Sequence, residues 1–82
     1  MGFFNTFMIN SEKLYLALME KYELELLESE KTLLMYFRNP IDEVQENDLN
    51  EIDVYLNKFS NIILKAEKLK EFLKYNNIEY GN

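Results

Sequence analysis

Between residues 3 and 80 the chain contains one residue that backbone chemistry keeps out of a helix interior, Pro40, and its two glycines lie outside that span, at positions 2 and 81. Proline has no amide hydrogen to donate and its ring collides with the preceding turn, so a helix that reaches it must stop. Nothing else before or after Pro40 enforces a break. Two long helices meeting near Pro40 are therefore expected. A fold of many short strands lacks the turn residues it would need.

The side-chain pattern agrees. With 82 residues, 48% of them hydrophobic and 29% charged, the chain is rich enough in apolar residues to fold and long enough for one domain over 1–82. The first helix is expected over 11–38, capped by Asn10 or Ser11, with Glu12 favourably placed at its positive end. Its inward stripe reads Tyr15, Leu18, Met19, Tyr22, Leu26, Leu33 and Phe37, interrupted by Ser29 and Glu30. A second apolar line, Leu16, Leu24, Leu27, Leu34 and Met35, makes this helix more apolar than one neighbour requires.

Residues 40–46 read as a short helical turn, followed by a second long helix from near Asn47 to Asn76 or Asn77. An alternative start has Asn39 as cap and Pro40 in the first turn. In this helix Ile52, Tyr55, Leu56, Phe59, Ile62, Ile63, Ala66, Leu69 and Leu73 recur as a, d and e positions of a heptad. The fold class is thus all-α: an antiparallel helical hairpin with short helical turns at the N-terminus and before the second helix. A hairpin leaves apolar surface wet, so completion to a three- or four-helix bundle is expected. The cover would be the Phe-rich segment Phe3, Phe4, Phe7, Met8 and Ile9, a partner protein or, as the favoured choice, a second copy related by twofold symmetry.

Composition removes many functions. The chain has neither Cys nor His, which takes away thiol nucleophiles, disulfides, imidazole acid–base chemistry and the usual zinc and haem ligands. No enzymatic activity and no cofactor are expected. The net charge is -6, with six acids and no base over 42–56, and Arg38 is the sole arginine. Direct nucleic-acid binding, which calls for a basic face, is disfavoured. The N-terminal run MGFFNTFMIN lacks a basic leader and is too short to span a bilayer, so neither secretion nor a membrane location is expected. Met1, Gly2 and Thr6 fit the loose myristoylation pattern, but folding back of the aromatic residues is the preferred reading. Absence of cysteine agrees with a cytoplasmic location. Abundant Asn, Lys, Ile, Tyr and Phe point to a low-GC bacterium, a phage or a mobile element.

The acidic run Asp42, Glu43, Glu46, Asp48, Glu51 and Asp53 does not make a calcium loop, because neither register puts a glycine at the sixth position. Acids also belong at a helix start for dipole reasons, yet six without a base exceed that need. They suit mimicry of nucleic-acid phosphates toward a basic partner. Tyr15, Tyr22, Tyr36 and Tyr55 are read mainly as core with hydroxyls at the rim, and Lys65, Lys68, Lys70 and Lys74, interrupted by Glu67 and Glu71, as a solvated face.

Residues 49–59, LNEIDVYLNKF, are loosely similar to the helix of the small sporulation phosphatases that act on response-regulator aspartyl phosphates, whose pattern is Ser-Gln-x-Leu-Asp ahead of apolar heptad positions. Asp53 aligns with the motif aspartate, whereas Leu49 and Asn50 stand where Ser and Gln belong. The likeness implies Asp53 as the residue to test in a hydrolase and assigns no family. That reading ranks last, because no base, metal or nucleophile accompanies the carboxylate.

The sequence thus points to a small acidic, non-enzymatic protein-binding module, an inhibitor or adaptor of a host protein, whose contact or homodimer is carried by Leu24, Leu27, Leu34 and Met35. The alternative is an acidic DNA mimic acting through Asp42, Glu43, Glu46, Asp48, Glu51 and Asp53.

Overall fold

The computed structural model describes residues 9–81, which form two α-helices and, among the described residues, no strand. Helix α1 spans Asn10–Arg38 and α2 spans Glu46–Tyr75. They pack on each other with opposite polarity: the Lys65 ammonium of α2 lies 5.4 Å from the ring centre of Tyr22 on α1, and Tyr36 near the end of α1 stands beside Glu51 near the start of α2. The hairpin is 55 Å long, as expected for two helices of some 45 Å at about 1.5 Å per residue.

The helix ends show which local signals operate. Ile9, not Asn10 or Ser11, holds the N-cap position of α1, and no side chain bonds to the free amides there. The Ser11 hydroxyl instead donates to the carbonyl of Glu79 in the C-terminal tail, so a long-range contact has displaced local capping. At the other end the Asn39 amide donates to Met35 O at 3.3 Å. Asn39 then turns extended, as a residue preceding proline prefers.

The helical turn expected over 40–46 is not formed. Residues 40–45 run as bends and irregular backbone, and α2 opens at Glu46 with Gln45, rather than Asn39 or Asn47, at its cap. The reason is the position of Asp48, whose carboxylate accepts from the Gln45 amide at 3.1 Å and closes the back half of a capping box. The C-terminus falls where the sequence places it. Asn77 takes a left-handed φ of 56°, the Asn77 amide donates to Lys74 O at 3.1 Å and the Ile78 amide to Leu73 O at 2.9 Å, the two bonds of a Schellman motif. This reversal sends the tail back onto α1, where the Tyr80 ring meets Tyr15 with centroids 4.5 Å apart.

Burial resolves the seam more sharply than hydropathy does. On α1 it is Tyr15, Met19, Tyr22, Leu26, Ser29, Leu33 and Tyr36, a strict alternation of four- and three-residue steps in which every member is buried or half-buried. Ser29, which breaks the apolar stripe in the sequence, is 3% exposed. Its small side chain suits a position squeezed between two helices. Phe37 was expected inward and is 75% exposed: one residue past the seam position Tyr36, it is turned about 100° away from α2. On α2 the seam is Asp48, Ile52, Tyr55, Phe59, Ile62, Ala66, Leu69 and Leu73, again all buried or half-buried. The expected e positions Leu56 and Ile63 are exposed instead, because a single partner helix covers only the a and d rows.

Among the described residues the buried apolar side chains are Ile62 and Leu73, and both keep a little exposure, 6% and 8%. The radius of gyration is 17.3 Å, against about 12 Å for a globular chain of this length. Phe3, Phe4, Phe7, Met8 and the acylation pattern at Gly2 lie outside the described residues.

Candidate functional site

Helix α1 presents a groove of 500 Å³ on its outer side, lined by Leu27, Glu30, Lys31, Leu34, Met35, Arg38 and Asn39. Leu27 and Leu34 are seven residues apart, two turns along one line, and Met35 follows Leu34 at the groove's edge. Glu30 borders this line on one side, and Lys31 and Arg38, four residues after Leu27 and Leu34, stand between it and Met35. Of the four residues expected to carry a contact, the structure brings Leu27, Leu34 and Met35 together. Leu24, one turn earlier, is exposed but outside the lining. Leu27 is 61% exposed, whereas Leu34 is half-buried.

The two broad faces of the hairpin differ in chemistry. One has a depression of 300 Å³ lined by Glu25, Glu28, Ser29, Tyr55, Lys58, Asn61, Ile62 and Lys65. Lys65 faces Tyr22 here, and the Lys58 ammonium lies 4.8 Å from the ring centre of Tyr55, cation–π contacts worth about 0.5–1 kcal/mol each at exposed sites. Glu25 pairs with Lys21 at 3.7 Å. The opposite face has a depression of 310 Å³ to which Met19, Leu26, Ile63 and Ala66 contribute, with Glu23, Glu67 and Lys70 at its edge. Leu49 and Leu56 precede Ile63 at seven-residue intervals and prolong its exposed row along α2, while on α1 Phe37 ends the edge row Leu16, Glu23, Glu30 and Phe37. Sequence reading had assigned Phe37, Leu56 and Ile63 to the seam. Spacing alone could not separate an edge row from an inner one.

The acidic run divides by role. Asp48 caps α2. Glu51 stands beside Tyr36, and partial desolvation, the neighbouring Glu51 acceptor and the negative charges of Glu51 and Asp48 together hold Tyr36 above the usual tyrosine range. Asp42, Glu43, Glu46 and Asp53 are exposed, and among the described residues none of them pairs with a base. The described residues contain no cluster of three or more acidic groups placed to hold a metal ion. None of their helices is long and apolar enough to cross a membrane.

The fold is that of an all-α helical hairpin. Compared with known proteins, the chain matches no family model, no curated protein and no solved structure.

Proposed function

We propose that this chain is a small acidic, non-enzymatic binding module that inhibits or adapts a protein of a low-GC bacterium, phage or mobile element, in the cytoplasm. The observation that carries the reading is the outer groove of α1, where Leu27, Leu34 and Met35 form an apolar floor that α2 does not cover. Leaving such side chains in water forgoes about 1.5–3 kcal/mol for each one that a partner would bury. Lys31 and Arg38 beside this floor suit a partner helix that carries acidic residues next to its apolar ones. Leu24 extends the contact by one turn.

The test is affinity capture with the native chain and with a Leu27→Asp, Leu34→Asp double variant, both checked for helix content. A protein retained by the native chain in moderate salt and lost by the folded double variant is the expected result. Equal retention by both would overturn this assignment of the face.

A second reading rests on the four unpaired acids Asp42, Glu43, Glu46 and Asp53, held at the loop end of a rigid hairpin. As a phosphate mimic this end would occupy a basic groove, and its binding would weaken steeply with salt and compete with DNA. Salt-insensitive capture decides against it.

A further inference from the structure

We infer that the apolar broad face, rather than the α1 groove, is where a second copy of this chain packs, and that the two hairpins lie antiparallel in a four-helix bundle with twofold symmetry. This deepens the reading above by separating a self-association face from a partner groove.

Area is the first argument. The chain exposes 6956 Å², where a folded monomer of 9.9 kDa exposes about 5,200 Å². The excess is about 1,700 Å² per chain, and obligate homodimers bury about 1,000–2,500 Å² per protomer. This excess belongs to the whole chain and part of it follows from the elongated shape, and it is large enough to accommodate a permanent interface between copies.

The second argument is that part of the exposed apolar surface is continuous along one side. Exposed Leu49, Leu56 and Ile63 on α2 and Phe37 on α1 flank half-buried Met19, Leu26, Leu33 and Phe59, forming an apolar strip along one side of the hairpin. The other side carries Glu25, Glu28, Lys58 and Lys65. Helix α2 is thus amphipathic twice, once toward α1 and once, at its edge row, toward a second layer, while the matching row of α1 reads Leu16, Glu23, Glu30 and Phe37, apolar at its ends and acidic between them. The two-row pattern of α2 is what a four-helix bundle demands of a helix that faces a second layer.

Charge selects the orientation. Residues 25–61, the loop half, hold nine acids and three bases, while the rest of the chain holds six of each. The entire net charge of -6 therefore sits at one end of a molecule 55 Å long. A parallel dimer would bring two such ends together. An antiparallel one separates them by several Debye lengths of about 8 Å and sets each beside the lysine-bearing tail half of the other copy.

Because the chain has no cysteine, single introduced thiols report the geometry cleanly. Ile63 lies near the middle of the long axis, and Leu49 near the loop end. Under mild oxidation, Ile63→Cys is expected to form a covalent dimer in high yield. Leu49→Cys is not, since its two copies would lie about 40 Å apart in the antiparallel arrangement. Cross-linking of Leu49→Cys to itself would show parallel packing and overturn the orientation. Failure of both, with light scattering giving the monomer mass for the cysteine-free chain, would overturn self-association altogether. The Leu27→Asp, Leu34→Asp variant should remain dimeric, so loss of dimer in that variant alone would place the self-contact in the α1 groove and contradict the separation of faces. Capture of a partner by a strictly monomeric native chain would leave the binding reading standing and this one refuted.

Discussion

Tyr80, three residues past the left-handed turn at Asn77, packs its ring on Tyr15 with centroids 4.5 Å apart and planes inclined by 47°. Through this contact the last residues of the chain hold the first turns of α1, where Ser11 also donates to the Glu79 carbonyl. The open end of the hairpin is therefore clasped by the tail as well as by helix packing. Tyr80→Ala should lower stability by about 1–2 kcal/mol, from the lost ring burial and an aromatic pair worth about 0.5–1.5 kcal/mol beyond it. The urea midpoint measures this. An unchanged midpoint would mean that the clasp contributes nothing.

Ser29 and Ile62 are both almost fully buried, at 3% and 6% exposure, and line the same side of the seam. A large residue at position 29 must push the helices apart or turn out into the depression that Ser29 lines. Ser29→Leu is expected to cost about 1–3 kcal/mol by overpacking, whereas Ser29→Ala should be nearly neutral. Thermal unfolding of both variants checks this, and a stabilised Leu variant would contradict the close approach.

Much of this architecture is legible in the sequence. Pro40 and the absence of other breakers announce two long helices, and the Asn76-Asn77 stop holds to within a residue. The seam was only half legible. Ser29 is polar, so hydropathy reads it as a gap, but its size is what the seam selects. Phe37, Leu56 and Ile63 are apolar at near-helical spacing, and only knowledge that each helix has one neighbour shows that they stand outside. The caps were misplaced because Ser11 and Asp48 found other partners, one across the molecule and one three residues back. For the contact residues, Leu27, Leu34 and Met35 converge because i, i+7 and i+8 spacing holds on any helix. The division of the hairpin into a polar and an apolar broad face needs both helices in register, which no single-helix pattern contains.

Asp48 accepts from the Gln45 amide and starts α2. Asp48→Ala should cost about 1 kcal/mol, the usual worth of a helix cap, and Asp48→Glu, the residue a capping box favours at this position, should keep most of it. Chemical denaturation separates the two. Because Asp48 has this structural duty, its loss should leave any salt-sensitive binding by Asp42, Glu43, Glu46 and Asp53 largely in place.

Tyr36 is held above the ordinary tyrosine range by partial desolvation, the neighbouring Glu51 acceptor and the nearby negative charge. A group whose pKa is raised on folding contributes stability that is complete below its unfolded value, near pH 10, and is lost as pH climbs through the folded value. Stability should therefore fall with rising pH above about 10, and Tyr36→Phe should flatten that part of the profile. Denaturant midpoints between neutral and strongly alkaline pH test this. An identical alkaline slope in the variant would remove Tyr36 as the cause.

The claim on which most depends is that the hairpin's leftover apolar surface is covered by another polypeptide, first of all by its own copy. Sedimentation equilibrium of the native chain over a wide concentration range tests it most directly. The account predicts that the weight-average mass approaches twice 9.9 kDa and falls to that of a single chain in an Ile63→Asp variant. A native chain that stays at 9.9 kDa at every concentration, fully helical and cooperatively folded, would contradict it.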